Sequence, residues 1–426
     1  MNFYGANASE VIVGSNSSDW IPGYGGNDTI YGAPSAAGGT WDNDSIEGNE
    51  GNDLIYGGNG NDKIGGGADQ DTVYGGNGND WINAQAGDDR VFGEGGDDSI
   101  MGEDGRDVMH GGGGNDTILG DGGSDTLYGE AGNDTLYAGT DNDLLLGGAG
   151  DDKVEGQQGD DVLYGHAGND SMIGDGDDES LPGTYNDTIF AGDGNDSIWA
   201  GPGNDSVRGG NGNDFIAGGA GRDICFGGNG DDLVSGGDGD NASDADSLYG
   251  QAGNDSLLGY QGDDYLNGGT GNDTIDGSEG RDTADYRNIG AGGNFDLWGG
   301  TAQLRDGSHD LLINIENLIG TNSADNIKGD PGANVLEGAG GNDTLSGLGG
   351  NDTFRYRDGF GTDTITDFGN GDHLQFAGYG GRADSVNDLN IYQHGADTYV
   401  VLSGSGTIIL EHVSAGSIDG SDFYFG

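Results

Sequence analysis

The sequence predicts an all-β fold: a solenoid of short strands wound into flattened coils and finished by a C-terminal β cap. Three observations predict it. Gly, Asp and a large apolar residue recur with a nine-residue period through most of the 426 residues. Each period has room for one short strand and one tight turn. From Phe354 onward the period gives way to ordinary β alternation, as in Asp363–Phe368, Asp372–Phe376, Thr398–Leu402 and Thr407–Leu410.

The period reads G-G-x-G-x-D-x-U-x, with U a large apolar residue; Gly75–Asn83 fits every place. A fixed internal period is the mark of a solenoid. Glycine permits the positive φ and close backbone approach of a tight turn. The x-U-x triplet is a strand whose U side chain faces inward, because strand side chains alternate faces. The U column (Ile46, Ile55, Ile64, Val73, Ile82 and so on to Met172) holds no polar residue. Two turns and two strands close a coil of 18 residues, so sixth-place Asp residues 18 apart stack along one side.

The sixth-place series runs Asp44, Asp53, Asp62, Asp71, Asp80, Asp89, Asp98, Asp107, Asp116, Asp125, Asp134, Asp143, Asp152, Asp161 and Asp170. After an insertion around Asp177–Tyr185 it resumes at Asp187, Asp196, Asp205, Asp214, Asp223 and Asp232. A second insertion near Gly239–Asp244 precedes Asp246, Asp255, Asp264, Asp273 and Asp282. Upstream, Asp28 and a degenerate Asp19 keep the register; downstream, Asp343 and Asp352 form a shorter array. The expected organisation is degenerate repeats at 1–27, the main array at 28–285, a spacer at 286–321, the short array at 322–355 and the cap at 356–426.

Charge then asks for a partner. Acidic residues number 76 against 13 basic, a formal net charge of −63. Such a chain repels itself, and with no basic cluster it offers nothing to nucleic acid. Cations must compensate. Asp, Asn and turn carbonyls are hard oxygen donors of the kind calcium takes. One carboxylate at every ninth residue is more than turn propensity alone would place.

These repeats resemble the RTX (repeats-in-toxin, hemolysin-type) family over roughly residues 10–285 and 322–355. The resemblance implies a right-handed parallel β-roll with Ca2+ bound at many sites in the turns between stacked coils. It implies that the sixth-place Asp residues named above, from Asp28 to Asp352, with turn carbonyls, are the ligands. It also implies that metal binding and folding are one event. The C-terminal segment is similar to the cap of serralysin-like members, and the ending Asp422–Gly426 resembles their uncleaved type I secretion signal. Type I export then makes the secretion apparatus a partner and the location extracellular or cell-surface. Met1–Asp19 has no signal-peptide pattern, and no stretch reaches membrane-spanning length.

The remaining candidates for chemistry are few. Cys225 falls in the U column and reads as a core residue. None of the six histidines sits in H-E-x-x-H, and there is no G-x-S-x-G elbow or Walker A loop. No enzyme activity is expected. The ninth place is asymmetric. One sheet carries Tyr31, Tyr56, Tyr74, Phe92, Tyr128, Tyr164, Phe190, Phe226 and Tyr249, nine aromatics in twelve places, and the other two in thirteen. Two readings stand: a stabilising cross-strand ladder, or a contact face for glycan or self-association. The function expected is a secreted, calcium-folded protein with a structural or adhesive role at the bacterial surface or matrix. The alternative is the RTX portion of an exported protease, lipase or alginate epimerase, which needs a catalytic domain upstream of repeats that begin near Met1.

Overall fold

Each period folds because its halves want different things. The x-U-x triplet runs as strand through the two glycines and the residue after them, with a bend at the second glycine, where φ is positive (+116° at Gly76); the G-x-D that follows turns. The computed structural model, which describes residues 5–33, 41–175, 184–237, 244–379 and 383–426, shows this alternation throughout. The result is a parallel β-solenoid, the architecture of a right-handed β-roll. It divides into two compact units, Met1–Gly219 and Ala220–Gly426.

In the first unit, strands of six residues follow one another at nine-residue intervals: Leu54–Asn59, Lys63–Ala68, Thr72–Asn77, Trp81–Ala86. Alternate strands join opposite sheets. Thr72 pairs with Arg90 and Val73 with Val91 in one sheet, and Lys63 with Trp81 and Ile64 with Ile82 in the other. Both ladders are parallel, and the offset is 18 residues. The U side chains from Ile21 to Val207 are wholly buried, so the core is one file of aliphatic side chains per sheet. Sequence reading placed Asp19 and Asp28 in one register with the main series. The structure corrects this: Trp20 pairs with Ser45 and Thr29 with Leu54, an offset of 25. The insertions read at Asp177–Tyr185 and Gly239–Asp244 lie largely outside the described residues, but pairing across them is preserved, Val162 with Thr188 and Ile224 with Ser247.

In the second unit, coils persist through the segment read as a spacer. Thr274–Asp276 pairs in parallel with Leu311–Ile313, and Thr283–Asp285 with Asn317–Ile319. Between them the chain makes an antiparallel hairpin, Gly293–Asp296 with Thr301–Leu304. Buried aromatic side chains now enter the core: Tyr286, Phe295, Phe354, Tyr356, Phe360 and Phe376. At the C-terminal end Gly361–Ile365 pairs in parallel with Gly406–Leu410, and that strand pairs antiparallel with Asp397–Leu402. The last strand, Phe423–Phe425, lies parallel to His373–Phe376. The four segments of expected β alternation are therefore strands.

Candidate calcium-binding turns

The sixth-place Asp sits at the end of each turn and points inward. Its own backbone ties it to the next coil twice. The Asp80 N–H donates to Oδ1 of Asp98 at 2.7 Å, and the Asp80 carbonyl accepts from Ser99 N–H at 2.9 Å. The same bonds recur at Asp62 to Asp80, Asp98 to Asp116 and Asp116 to Asp134 on one side of the roll. They recur at Asp71 to Asp89 and Asp89 to Asp107 on the other. Every sequence-predicted Asp, from Asp28 to Asp352, is at most 4% exposed.

Oδ1 is thereby accounted for. Oδ2 is not: at each Asp from Asp53 to Asp170, and again at Asp187, Asp196, Asp255, Asp264, Asp273 and Asp282, it is buried without a hydrogen-bond partner. A buried carboxylate oxygen left in this way is costly. It lies against the first-place glycine of its own repeat: a Cβ on Gly75 would meet Asp80 Oδ2 at 2.5 Å, and one on Gly93 would meet Asp98 Oδ2 at 2.4 Å. The fourth-place glycines are held by φ instead. Gly78 sits at +127° and Gly96 at +131°; a Cβ there would meet the carbonyl oxygen of Gly60 or Gly78 in the adjoining coil at 2.0 or 2.1 Å. Turn carbonyls thus aim along the stack, beside the orphaned carboxylate oxygens.

The electrostatics agree. Burial is the largest influence and raises these carboxyls, the backbone N–H opposes it, and neighbouring carboxylates push further the same way. Asp71, Asp80 and Asp143 reach about 8, and Asp89, Asp116 and Asp152 about 7. Carboxylates arranged like this call for a cation. Among the described residues no three His, Cys, Asp or Glu side chains converge on one point. On each side of the roll a coil instead contributes one carboxylate and its turn carbonyls, so any ion is shared between adjacent coils. A hard cation that accepts many oxygens in a loose cage fits this donor set.

The structure also extends the rows beyond the residues read from sequence. Asp19, the degenerate place read from sequence, joins its row, its N–H donating to Asp44 Oδ1 across 25 residues. Asp273 N–H finds Asp310 across 37, and Asp282 N–H finds Glu316 across 34. Asp325 then bonds to Asp343, Asp343 to Asp363 and Asp352 to Asp372. Asn334 takes a sixth place, and its side-chain NH2 donates to the Glu316 carbonyl at 2.8 Å. The signal that could have found them is the U residue two places on: Leu312 after Asp310, Leu318 after Glu316, Ile327 after Asp325, Leu336 after Asn334, Ile365 after Asp363 and Leu374 after Asp372.

On the outer face of one sheet the ninth-place rings stack. Tyr31, Tyr56, Tyr74, Phe92, His110 and Tyr128 form an unbroken pile with ring centroids 4.4–5.0 Å apart. Tyr164 stacks on Phe190 and Phe226 on Tyr249. Cys225 is buried in the core, as its place in the U column required.

Comparison with known proteins gives the same reading. The model of the RTX calcium-binding nonapeptide repeat matches residues 4–34, 38–73, 74–109, 110–145, 146–178, 182–216, 208–242, 242–275, 249–284 and 319–354. No curated protein matches. Among solved structures, the extracellular lipase LipA from Serratia marcescens is 22% identical over 49% of this chain and 40% of the lipase, with a TM-score of 0.19, too low to bear on function. Nonapeptide matches over most of the sequence, on coils whose turns present rows of buried, unpartnered carboxylate oxygens, place the chain in the RTX family of calcium-binding proteins, with Ca2+ as its cofactor.

Proposed function

We propose that this protein is a secreted scaffold whose roll assembles on calcium outside the cell, with a structural or adhesive role at the bacterial surface or matrix and no catalysis of its own. RTX repeats are typical of secreted proteins. Among the described residues no helix is long and apolar enough to cross a membrane. The observation that carries the proposal is the row of orphaned Oδ2 atoms. Those of the sixth-place Asp residues, with the turn carbonyls of adjoining coils, are the ligands we assign. Bound there, calcium supplies charge neutralisation and a crosslink between coils; the chain's own backbone supplies register through the N–H to Oδ1 bonds. Calcium in the range of about 10⁻⁴–10⁻³ M suits extracellular modules of this kind, and the cytosol lies far below it. The main repeat array would stay unfolded inside the cell and fold after type I export.

Magnesium should not substitute, because it demands tight octahedral geometry and keeps its water. The test is circular dichroism in chelator, then in millimolar calcium or magnesium. A β signal gained with calcium alone is expected; a full signal in chelator, or an equal gain with magnesium, would defeat the ligand assignment. Export has its own test. Deleting Asp363–Gly426 removes both C-terminal strands that pair with the last coils and should retain the protein in a cell that has a matching type I transporter. Undiminished secretion of the truncated chain would place the signal elsewhere.

A further inference from the structure

In the regular repeat the first place is Gly or, as at Ala84, Ala138, Ala191 and Ala200, Ala. It faces inward, and Oδ2 of the sixth-place Asp lies against it. Tyr286 and Tyr356 each occupy a first place, two residues after the U residues Ala284 and Phe354. Both side chains are 1% exposed. Tyr286 packs on Phe295 with ring centroids 4.8 Å apart, and Tyr356 on Phe360 at 4.7 Å. Each stands where the chain to the next sixth-place Asp is longer than the usual five residues: from Tyr286 it runs to Asp310 and from Tyr356 to Asp363, as the N–H to Oδ1 bonds from Asp273 and Asp343 identify them.

Tyr286 lies beside Asp310, with Asp273 also near, and Tyr356 lies beside Asp363 and Asp343. Neither hydroxyl has a hydrogen-bond partner in the fold, and nor do the Oδ2 atoms of the four Asp residues. A phenol keeps its proton at neutral pH and can donate. A buried tyrosine hydroxyl is normally bonded, and the carboxylate is the acceptor available.

We infer that Tyr286 and Tyr356 are plugs: the ring fills the inner corner of the turn, the hydroxyl faces the carboxylate row in place of an ion, and the Asp273–Asp310 and Asp343–Asp363 turns hold no calcium. This rests on the assignment of calcium to the regular turns. The rule is a size rule at the first place. Gly or Ala leaves the carboxylate oxygen to a cation; Tyr supplies a proton donor and removes the space. Each plug closes one of the two rows, Tyr286 at the C-terminal end of the main array and Tyr356 at that of the short array.

The experiment counts calcium on the full chain by equilibrium dialysis at saturating calcium and follows melting at low and saturating calcium. Tyr286→Phe and Tyr356→Phe keep the ring and lose the donor. The expected result is an unchanged calcium count and a melting temperature lowered equally at both calcium levels. A count that falls, or a loss of stability that saturating calcium erases, overturns the inference, since either means that an ion sits beside the hydroxyl. Tyr286→Gly opens the corner; if folded, it should bind more calcium than the parent, and an unchanged count in a folded protein also overturns the inference. Should the glycine variant not fold, the phenylalanine arms decide. An Asp98→Asn control in a regular turn must lower the count. If it does not, the assignment of calcium to the turns has failed rather than the plugs.

Discussion

The coils between Asp53 and Asp170 and those between Tyr286 and Phe376 share one backbone plan and differ in what they bury beside it. In the first stretch each strand buries one aliphatic side chain, and each turn buries a carboxylate whose second oxygen has no partner. In the second, tyrosine and phenylalanine enter the core, and the chain's scarce cations meet carboxylates directly. Arg287 pairs with Asp285 at 2.9 Å, where Tyr265 also donates to the same carboxylate; Lys328 pairs with Asp296 at 2.9 Å and Arg357 with Glu337 at 3.0 Å. Asn334 replaces a carboxylate by an amide with its own donor. If Tyr286 and Tyr356 are plugs, calcium dependence is a property of particular turns rather than of the roll as a whole.

The largest expected effect follows at once. Removing calcium should abolish amide protection through Asp53–Asp170, where only the ion offsets the carboxylate rows, while much of Tyr286–Phe376 keeps it. Hydrogen exchange with and without chelator reads this residue by residue. Equal loss in both regions would erase the distinction drawn between them.

Acidity should imitate the metal in the regular coils. Their Asp carboxyls are raised by burial, Asp62 and Asp98 to about 6 and Asp71 and Asp80 to about 8, against about 3.9 in an unfolded chain. The folded form therefore holds protons that the unfolded form releases. The stability this contributes is complete below about pH 4 and is lost as pH rises through 6 to 8. Chelated protein should gain β signal on going from pH 8 to pH 5. With calcium present the sign reverses, because protons compete for the same oxygens, and the calcium midpoint should rise as pH falls. A chelated protein indifferent to pH over that range would mean that the buried carboxyls are not what prevents folding.

Much of this was legible in the residues. The nine-residue count gave the sixth-place Asp rows, the aliphatic column and Cys225's place in it, because in a regular stretch position in the period and position in space are the same thing. The count lost the rows wherever a turn grew. What closes a coil is a backbone N–H reaching a carboxylate on the next coil, and that bond is indifferent to how many residues intervene: 18 at Asp80, 25 at Asp19, 37 at Asp273 and 20 at Asp352. Asp310 and Glu316 were missed for this reason. Tyr286 and Tyr356 were read only as the ends of a pattern, because a first-place residue has no meaning until its sixth-place partner is known.

A pair of exchanges sharpens the contrast at single residues. Asp116→Asn keeps the acceptor for the Asp98 N–H but removes a charge from a regular turn; the calcium midpoint should rise about tenfold, the equivalent of roughly 1.4 kcal/mol. Asn334→Asp removes the donor to the Glu316 carbonyl and sets a carboxylate against it. It should cost about 1–3 kcal/mol, and added calcium should not restore it. Calcium titrations and melts of the two variants settle this, and rescue of Asn334→Asp by calcium would show that the terminal coils can be converted to ion binding.

The smallest effect concerns the outer faces of the two sheets. One carries the ring pile, half-buried and face to face; on the other, Lys63 covers Trp81 and Lys153 covers Tyr137. Stacking explains why the rings follow one another, since each new ring is worth most beside an existing one. Replacing Tyr56, Tyr74, Tyr128 and Tyr164 by Ser breaks the stacks to Tyr31, Phe92, His110 and Phe190 as well as that between Tyr56 and Tyr74. Each broken pair should cost about 0.2–1 kcal/mol, so the calcium midpoint should rise while saturating calcium still folds the variant. Attachment to glycan surfaces and self-association, measured on fully folded protein, then separate two roles for the face. If the pile serves only to stiffen the sheet, both stay at the parent's level. If it is also the contact surface, both fall although the fold is intact, and a matched Tyr137→Ser on the opposite sheet leaves them unchanged.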